Sequence, residues 1–189
     1  MSAISERRER ERAQRHQLIV TAARDLAEAE GWEAVTTRRL AERVEYSQPV
    51  LYSHFAGKDA IVSAVALDGM GELADHLRRA REAAGPGQVL RAVCRAYLDF
   101  AAERPALYQA MFVLPTDLEF GSAETPAPLR EAFGEFVDCF PPDDERRELL
   151  AEVVWSALHG MAVLSDSRRI PAAGQEDRLD LLVGRIAVS

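Results

Sequence analysis

Residues 36–58, TTRRLAERVEYSQPVLYSHFAGK, constrain the fold of this chain more than any other stretch. Thr36 is placed to cap a short helix that ends near Val44, because its hydroxyl can accept a hydrogen bond from an N–H of the first turn. Ser47 precedes a second short helix in the same way, and Pro49 falls in that helix's first turn, where a missing N–H costs little. The stretch therefore predicts two short helices joined by a tight turn, which is the arrangement of a helix-turn-helix DNA-binding unit.

The second predicted helix, residues 48–54, divides into an inner and an outer face. Leu51 and Phe55 are four residues apart and can pack inward. The outer face presents an amide, a pyrrolidine ring and two hydroxyls, which come from Gln48, Pro49, Tyr52 and Ser53. An amide can pair with adenine, an apolar ring can touch a thymine methyl group, and hydroxyls can bind phosphates. His54 and Lys58 follow at the helix exit and are predicted to contact the DNA backbone.

This stretch closely resembles the DNA-binding head of the TetR family of bacterial repressors. The family pattern is roughly T-x-R-x-[IL]-A, a turn, and then L-Y-x-H-F-x-x-K. The chain supplies it with Thr36, Arg38, Leu40, Ala41, Leu51, Tyr52, His54, Phe55 and Lys58. The resemblance implies a three-helix head in which Thr37 and Arg38 contact a phosphate and a base edge.

The turn departs from the family pattern at Val44-Glu45, where relatives usually carry Ala-Gly. The glycine of those relatives takes a left-handed backbone conformation, which costs a residue with a Cβ about 1 kcal/mol. Glu45 is therefore predicted either to tolerate this strain or to alter the turn slightly.

Composition and periodicity predict an all-α fold with about nine helices. Hydrophobic residues make up 48% of the 189 residues, and the helix-favouring Ala, Leu, Glu and Arg dominate. Cys94 and Cys139 fall in apolar helical stretches and are interpreted as buried free thiols, with a disulfide or redox role as the alternative. The sequence shows no metal-ligand spacing, no signal-like N-terminus and no apolar run near the roughly 18 residues of a membrane span. We expect a soluble, cytoplasmic protein with no cofactor, no metal and no membrane contact.

Charge is unevenly divided along the chain. Residues 1–55 carry nine Arg and nine Asp or Glu, whereas residues 56–189 carry fourteen Lys or Arg and twenty-two Asp or Glu, which accounts for the net charge of −8. An acidic body would repel DNA and present only the head to it, although solubility alone explains the same composition. Residues 1–16 hold five Arg and three Glu. This segment is predicted either to be an arm or helical extension that touches the minor groove or phosphates of DNA, or to be a solvated, fraying tail.

The chain is predicted to divide into a head, residues 1–57 with the N-terminal extension, and a body, residues 58–189. In the head, a helix from about Gln17 to Glu30 ends at Gly31, and Trp32 folds back onto it. The body opens with a helix from Lys58 to about Ala83, in which Gly69 and Gly71 mark a bend, a close approach or only a weaker helix. Further helices are predicted over about 88–103, 106–113, 129–140, 145–164 and 176–187, with a loop over 115–128.

The last two helices resemble in position the pair that joins TetR-family subunits in a four-helix bundle. Helix-turn-helix heads usually act in pairs on a two-fold site, so a homodimer is expected. The residues assigned to its interface are Leu150, Val154, Leu158, Leu179, Leu182 and Ile186. The alternative is that these stripes only close the core of a single chain.

Aromatic side chains of the middle helices are predicted to line a pocket for a small-molecule effector. The candidate ligand-binding residues are Tyr97, Tyr108, Phe112, Phe133, Trp155 and His159. Trp155, His159 and Gly160 form a W-x-x-x-H-G run that resembles the signature of one class of TetR-family C-terminal domains. Gly160 would let another helix approach closely, and His159 would hydrogen-bond either a ligand or a buried backbone group.

Together these features predict a ligand-responsive transcriptional regulator, a repressor, that binds a palindromic operator as a homodimer and is released by a small molecule. An all-α enzyme is poorly supported, since the sequence has no G-x-S-x-G, H-E-x-x-H, C-x-x-C or phosphate loop. A helical adaptor that binds another protein is the third interpretation, which the acidic surface and the 115–128 loop would permit.

Overall fold

The computed structural model describes residues 3–186, and within that range the chain forms nine α-helices and two short 3₁₀ turns, with no strand. The helices are α1 (Ala3–Glu30), α2 (Thr37–Arg43), α3 (Gln48–His54), α4 (Lys58–Ala83), α5 (Val89–Glu103), α6 (Pro105–Phe112), α7 (Ala127–Val137), α8 (Arg147–Asp166) and α9 (Gln175–Ile186). The 3₁₀ turns cover Trp32–Ala34 and Ala172–Gly174. The all-α prediction is confirmed, while the predicted helix end at Ala187 lies outside the described residues.

The largest difference from the predicted helices is at the start of the chain. Helix α1 begins at Ala3 rather than Gln17, so the N-terminal extension and the first helix of the head are one continuous helix. Arg and Glu are good helix formers, and Arg7 pairs with Glu11 one turn later at 2.7 Å. The end of α1 is as predicted, because Gly31 follows it with a φ of 82°.

The helices form two compact units. The N-terminal unit comprises the chain up to Gly69 together with Ala106–Leu118, and the C-terminal unit comprises Met70–Pro105 and the chain from Glu119. Helix α4 therefore contributes its first half to one unit and its second half to the other. The compact N-terminal unit extends beyond Gly57, and the functional division into 1–57 and 58–189 stays a prediction.

The core of the N-terminal unit is made by the apolar faces of α1 to α4 and α6. Its almost completely buried side chains include Ile19, Leu26, Leu40, Leu51, Ile61, Val65 and Leu107. Helix α6 packs against α4 at Gly69, where a Cβ would lie 2.7 Å from Leu107 Cδ1 and 2.9 Å from Met111 Sδ. The predicted close approach is thus confirmed at Gly69, whereas a Cβ on Gly71 would meet nothing within 4 Å.

Polar contacts tie the C-terminal end of α1 to the start of α6. The carboxylate of Glu28 accepts hydrogen bonds from the backbone N–H groups of Ala106, at 3.2 Å, and Leu107, at 2.9 Å. The indole N–H of Trp32 donates to the carbonyl of Ala106 at 2.7 Å. Because the first N–H groups of a helix lack partners within it, the Glu28 carboxylate acts as a cap supplied by another helix. Trp32 is buried within this unit, as predicted.

The core of the C-terminal unit surrounds α5, which packs against α7, α8 and α9. Its largest fully buried side chains include Leu73, Leu77, Tyr97, Phe100 and Phe136. Glu135 of α7 is also buried, and its two carboxylate oxygens accept hydrogen bonds from Arg78 Nε at 3.0 Å and Arg81 Nε at 2.8 Å. Pairing with two guanidinium groups is what allows this carboxylate to lie inside the protein.

Both cysteines belong to the C-terminal unit and are free thiols. Burial raises the pKa of Cys94 and of Cys139 to about 12, so both remain protonated and unreactive near neutral pH. Cys94 is fully buried, as predicted, whereas Cys139 is half-buried.

Helix α8 corrects one expectation drawn from the sequence. By length and composition it could cross a membrane, with 17% of that stretch buried within the chain, so the expectation that no stretch approaches this length is wrong. A single helix of this kind is a weak indication, since core helices of soluble proteins have the same length and composition. Its low burial does show that α8 carries apolar surface that the chain itself leaves uncovered.

Candidate nucleic-acid interface

Helix α2 begins as the sequence predicts. Thr36 has an extended backbone, and its Oγ1 accepts a hydrogen bond from the Arg39 N–H at 3.2 Å. The Arg39 guanidinium in turn makes two hydrogen bonds to the Glu30 carboxylate of α1, at 2.8 and 2.9 Å. With Leu40 and Ala41 buried beneath it, α2 is held firmly on α1.

The turn after α2 contains a strained residue. Glu45 has a φ of 57°, which is the left-handed conformation, and the Tyr46 N–H closes the turn by donating to the Ala41 carbonyl at 3.0 Å. Of the two alternatives predicted for Glu45, the structure shows the strained one. A residue with a Cβ in this conformation costs about 1 kcal/mol or more relative to glycine.

Helix α3 has the two faces that the sequence predicts. Leu51 is 1% exposed and Phe55, directly after the helix, is 5% exposed, so both belong to the core. On the opposite face Gln48 and Pro49 are exposed, and Tyr52 is 53% exposed. The ring of Tyr52 therefore lies largely in solvent, on the face that the sequence predicts to contact DNA.

Three further candidates on α2 and α3 are partly engaged within the protein. Ser53 is exposed, and its hydroxyl donates to the Val50 carbonyl at 2.6 Å, so it must rotate before it can donate to a phosphate. Arg38 is exposed and pairs with Glu42 at 3.0 Å, a surface ion pair worth little that a phosphate could replace. Thr37, in the first turn of α2, is half-buried.

The two backbone-contacting residues predicted at the exit of α3, His54 and Lys58, occupy partly buried positions. The Lys58 ammonium donates to the Trp32 carbonyl at 2.6 Å, which uses one of its three N–H groups. The ring of His54 lies 6.4 Å from the ring of His16 in α1. Burial lowers the pKa of His54, and the positive charges of Arg12 and Arg15 lower it further. His54 is therefore mostly neutral at pH 7 in the protein alone.

Arg12 and Arg15 are absent from the DNA-binding residues that the sequence predicts. They lie on the N-terminal extension, which the sequence pattern separates from the helix that begins near Gln17. The signal that could have found them is the helical period of α1, because extending it backwards places both arginines in line with Ile19.

Two family models match the chain. The model of bacterial regulatory proteins of the tetR family matches residues 19–65, and the model of the tetracyclin repressor-like C-terminal domain matches residues 90–186. The chain belongs to the TetR family. The first match covers α2 and α3, the predicted helix-turn-helix, and the second match places the C-terminal helices within the same family.

Curated relatives support this assignment over parts of the chain. An uncharacterized HTH-type transcriptional regulator of Bacillus subtilis is 31% identical over 93 residues, which are 49% of this chain and 49% of that protein. The class A tetracycline repressor of Escherichia coli is 46% identical over 48 residues, which are 25% of this chain and 22% of that protein. The chain thus spans about half the length of the first relative and about a fifth of the second.

Solved structures share the fold over almost the whole chain. A protein from Rhodococcus sp. RHA1 superimposes with a TM-score of 0.72 at 20% identity, covering 90% of this chain and 92% of that one. A single-residue variant of TetR from Acinetobacter baumannii, solved in complex with minocycline, superimposes with a TM-score of 0.63 at 21% identity. The superposition covers 89% of this chain and 92% of that one. At these identities the likeness shows a common fold.

The six predicted effector-binding residues divide between the two units. Tyr108 and Phe112 belong to the N-terminal unit, with their rings 4.9 Å apart. In the C-terminal unit the Trp155 indole N–H donates to the hydroxyl of Tyr97 at 3.1 Å, and the Phe133 ring lies 6.2 Å from that of Trp155. Tyr97, Phe133 and Trp155 are therefore brought together as one aromatic cluster.

His159 lies one helical turn after Trp155 on α8. Burial lowers the pKa of His159, so the imidazole is mostly neutral at pH 7. The assignment of the W-x-x-x-H-G run to one class of C-terminal domains stays a prediction. A Cβ on Gly160 would meet nothing within 4 Å, so the close helix approach predicted there does not occur within the described part of the chain.

Three of the six predicted dimerisation residues lie in the core of the chain itself, and the assignment of the other three stays a prediction. Val154, Leu158 and Leu179 are 0% exposed, because α8 and α9 pack them into the core of the C-terminal unit. Leu150, Leu182 and Ile186 are half-buried. The apolar side chains that α8 and α9 leave to solvent are instead Leu149, Val153, Leu164 and Leu181, exposed by 60, 47, 38 and 62%.

Proposed function

We propose that this TetR-family protein is a ligand-responsive repressor, which binds a palindromic operator as a homodimer and leaves it when a small molecule binds. The observation that carries the proposal is the exposed face of α3, formed by Gln48, Pro49 and Tyr52. These side chains project together from a helix whose other face is buried in the core.

The size and chemistry of α3 suit the major groove of DNA. Seven residues at 1.5 Å each make a helix about 10 Å long, and the groove is about 12 Å wide. The Gln48 amide can pair with an adenine, and the ring of Pro49 can contact a thymine methyl group. Tyr52 and Ser53 then contact phosphates through their hydroxyls. By family resemblance, Thr37 and Arg38 at the start of α2 contact a phosphate and a base edge.

A homodimer accounts for the uncovered apolar surface of α8 and α9. On α8, Leu149, Val153 and Leu164 share one face with Gly160, since their spacing follows the helical period. A second copy of α8 could approach closely at Gly160, where the chain's own helices do not. Pairing in this way would cover the apolar surface and join two heads, which must meet major grooves about 34 Å apart.

The effector is proposed to bind in the C-terminal unit, at the cluster of Tyr97, Phe133 and Trp155, with His159 beside it. Tyr108 and Phe112 remain candidates on α6. Helix α4 begins in the head with Lys58 and continues into the C-terminal unit, so a displacement of its second half would alter the separation of the heads. To shift the ratio of DNA-releasing to DNA-binding states from 1:99 to 99:1, the effector must bind the releasing state more tightly by about 5.5 kcal/mol.

Selection of genomic DNA fragments by the full-length chain tests the proposal. We expect a short palindrome, bound with a steep dependence on salt concentration. Gln48→Ala should relax the preference for that palindrome over random DNA, whereas Gln88→Ala, at an exposed position before α5, should leave it unchanged. Equal losses on operator and random DNA for Gln48→Ala would remove its base-reading role.

Failure to enrich any DNA sequence would overturn the proposal as a whole. Turnover of a substrate would then favour an enzyme, and binding of another protein would favour an adaptor. Small molecules suggested by the genes beside the selected site should release the DNA if the effector part of the proposal is correct.

A further inference from the structure

The N-terminal extension of α1 carries a row of three arginines. Arg8, Arg12 and Arg15 are spaced four and three residues apart, so their side chains emerge on one face of the helix. Arg8 and Arg12 are exposed, and Arg15 is half-buried. Because α1 is continuous from Ala3 into the head, the helix sets the spacing of these arginines and the face on which they lie, which a basic tail without secondary structure would not.

The same row continues into the core of the head. Ile19 and Leu26 follow at the same helical phase, and both are almost completely buried where α1 packs on the other helices. The arginines therefore lie on the same face of α1 as the residues that pack into the head. In the extension this face is exposed to solvent at Arg8 and Arg12.

The extension leaves the head beside the C-terminal end of α3. The ring of His16 lies 4.5 Å from that of Phe55, the residue directly after α3, and 6.4 Å from that of His54. Arg12 and Arg15 are close enough to His54 to lower its pKa by their positive charge. The row thus begins next to the C-terminal end of the helix that is proposed to enter the major groove.

The acidic side chains of the extension do not neutralise this row. Glu11 comes three residues after Arg8 and four before Arg15, so it borders the row, but its carboxylate pairs with Arg7 at 2.7 Å. Within residues 3–186, no carboxylate makes an ion pair with Arg8, Arg12 or Arg15. The row therefore offers guanidinium groups that are available to an external anion.

We propose that Arg8, Arg12 and Arg15 form a second DNA-binding surface, which contacts the phosphates flanking the site read by α3. This inference rests on the proposed DNA-binding function and extends it to a segment outside the helix-turn-helix. From Arg8 to Arg15 the helix rises about 10 Å, and a DNA strand presents about three phosphates over that length. Arginine is well suited to the role because its planar group can make two hydrogen bonds to one phosphate.

The surface should add affinity without sequence preference. The row lacks amides and small apolar side chains that would distinguish base edges, and phosphates are the same in every sequence. Its contribution should therefore appear equally on operator and scrambled DNA and should weaken as salt rises.

Two double variants of the full-length chain test this inference with equal changes in charge. Arg8→Ala/Arg12→Ala removes two arginines of the row, and Arg7→Ala/Arg10→Ala removes two arginines from other faces of the same extension. Binding to the selected operator and to a scrambled duplex is measured by fluorescence anisotropy between about 50 and 200 mM salt. Circular dichroism confirms that each variant is folded, and Arg8→Lys/Arg12→Lys retains the charge.

For the row variant, the slope of log affinity against log salt concentration should become shallower by about 0.9 for each phosphate contact removed. For two contacts in each head, the fall in affinity between about 50 and 200 mM salt should therefore be smaller by a factor of about 12 per head. The Arg7/Arg10 variant and the lysine variant should retain the slope of the natural sequence. Equal losses for the Arg8/Arg12 and Arg7/Arg10 variants would show a general charge effect and overturn the inference. No loss in either would show a solvated tail and also overturn it. If the natural sequence selects no DNA, the proposed function itself fails.

Discussion

Glu28 of α1 and Leu107 of α6 are joined by a 2.9 Å hydrogen bond, in which the Leu107 N–H donates to the Glu28 carboxylate. The same carboxylate accepts from Ala106, so one side chain caps the first turn of α6. These residues are 79 positions apart in the sequence, and the contact holds α6 within the N-terminal unit that also contains the DNA-binding head.

Removal of this cap should destabilise the protein. Glu28→Ala leaves two helix N–H groups without their acceptor, and we expect the free energy of unfolding to fall by about 1 kcal/mol, as for other lost caps. Glu28→Gln keeps an acceptor oxygen and should lose less. Urea denaturation measures both, and Asp25→Ala, an exposed carboxylate one turn earlier on α1, is the control. A fall of the same size for Asp25→Ala would refute the capping role.

Lys58 should have two separable roles. Its ammonium donates to the Trp32 carbonyl at 2.6 Å, so Lys58→Ala should lower the free energy of unfolding by about 1 kcal/mol. If Lys58 also contacts a phosphate, the same variant should weaken binding to operator and random DNA alike and reduce the salt slope by about 0.9 per head. Lost stability with an unchanged salt slope would leave Lys58 a structural role only. Arg79→Ala, exposed on the second half of α4, is the control for a lost charge.

The turn between α2 and α3 should be improved by glycine. Glu45 has a φ of 57°, so Glu45→Gly removes the strain of a Cβ in the left-handed conformation. Because glycine also has more freedom in the unfolded chain, we expect a net gain of about 0.5–1 kcal/mol in the free energy of unfolding. Glu42→Gly, within α2, should instead lower the free energy of unfolding, because glycine weakens a helix. Destabilisation by both substitutions would show that the turn is unstrained.

The sequence predicted most local features well because their causes are local, although the expected side-chain cap by Ser47 is not found at α3. The Thr36 cap, the end of α1 at Gly31 and the two faces of α3 each depend on residues within one or two turns, and all three are found in the structure. The predicted start of the first helix at Gln17 was wrong, because the Arg and Glu residues before it show no apolar stripe although they favour a helix. Periodicity marks the solvated part of a helix less clearly than the packed part.

Contacts between distant helices could not be predicted in the same way. The apolar stripe of α8 was visible, but only the packing shows that Val154 and Leu158 face the chain's own core while Val153 faces solvent. Likewise, Tyr97 and Trp155 are 58 residues apart, and no spacing rule indicates that their polar groups meet. Periodicity shows which residues share one face of a helix, whereas the element that packs against this face is decided by the tertiary fold.

DNA binding should strengthen as pH falls because of His54. The pKa of His54 is lowered in the free protein, first by burial and then by Arg12, Arg15 and His16, so the imidazole is mostly neutral at pH 7. A phosphate beside it would favour the protonated form, and affinity should therefore rise as pH falls through about 6.5. Anisotropy titrations between about pH 5.5 and 8 measure this, and His54→Asn should reduce the dependence.

Stability should change with pH in the opposite direction. A histidine whose folded pKa lies below its unfolded value stabilises the protein above about pH 6.5, and this contribution is lost as pH falls through the folded pKa. His54→Asn should therefore reduce the loss of stability in acid. The pKa of His159 is also lowered by burial, so His159→Gln should reduce this loss as well but leave the pH dependence of DNA binding intact. A change in DNA binding equal to that of His54→Asn would contradict the phosphate contact.

The exposed face of α8 should determine the oligomeric state. Val153 is 47% exposed at the centre of a stripe that includes Leu149 and Gly160, and a second copy is proposed to cover it. Val153→Glu would place a charge in that interface, and a cost of about 2 kcal/mol corresponds to a dimer dissociation constant about 30-fold higher. Val113→Glu makes the same substitution at a residue that is 56% exposed in the N-terminal unit, and should leave the dimer unchanged. Sedimentation over a range of protein concentrations distinguishes the two, and an unchanged dimer in Val153→Glu would place the interface elsewhere.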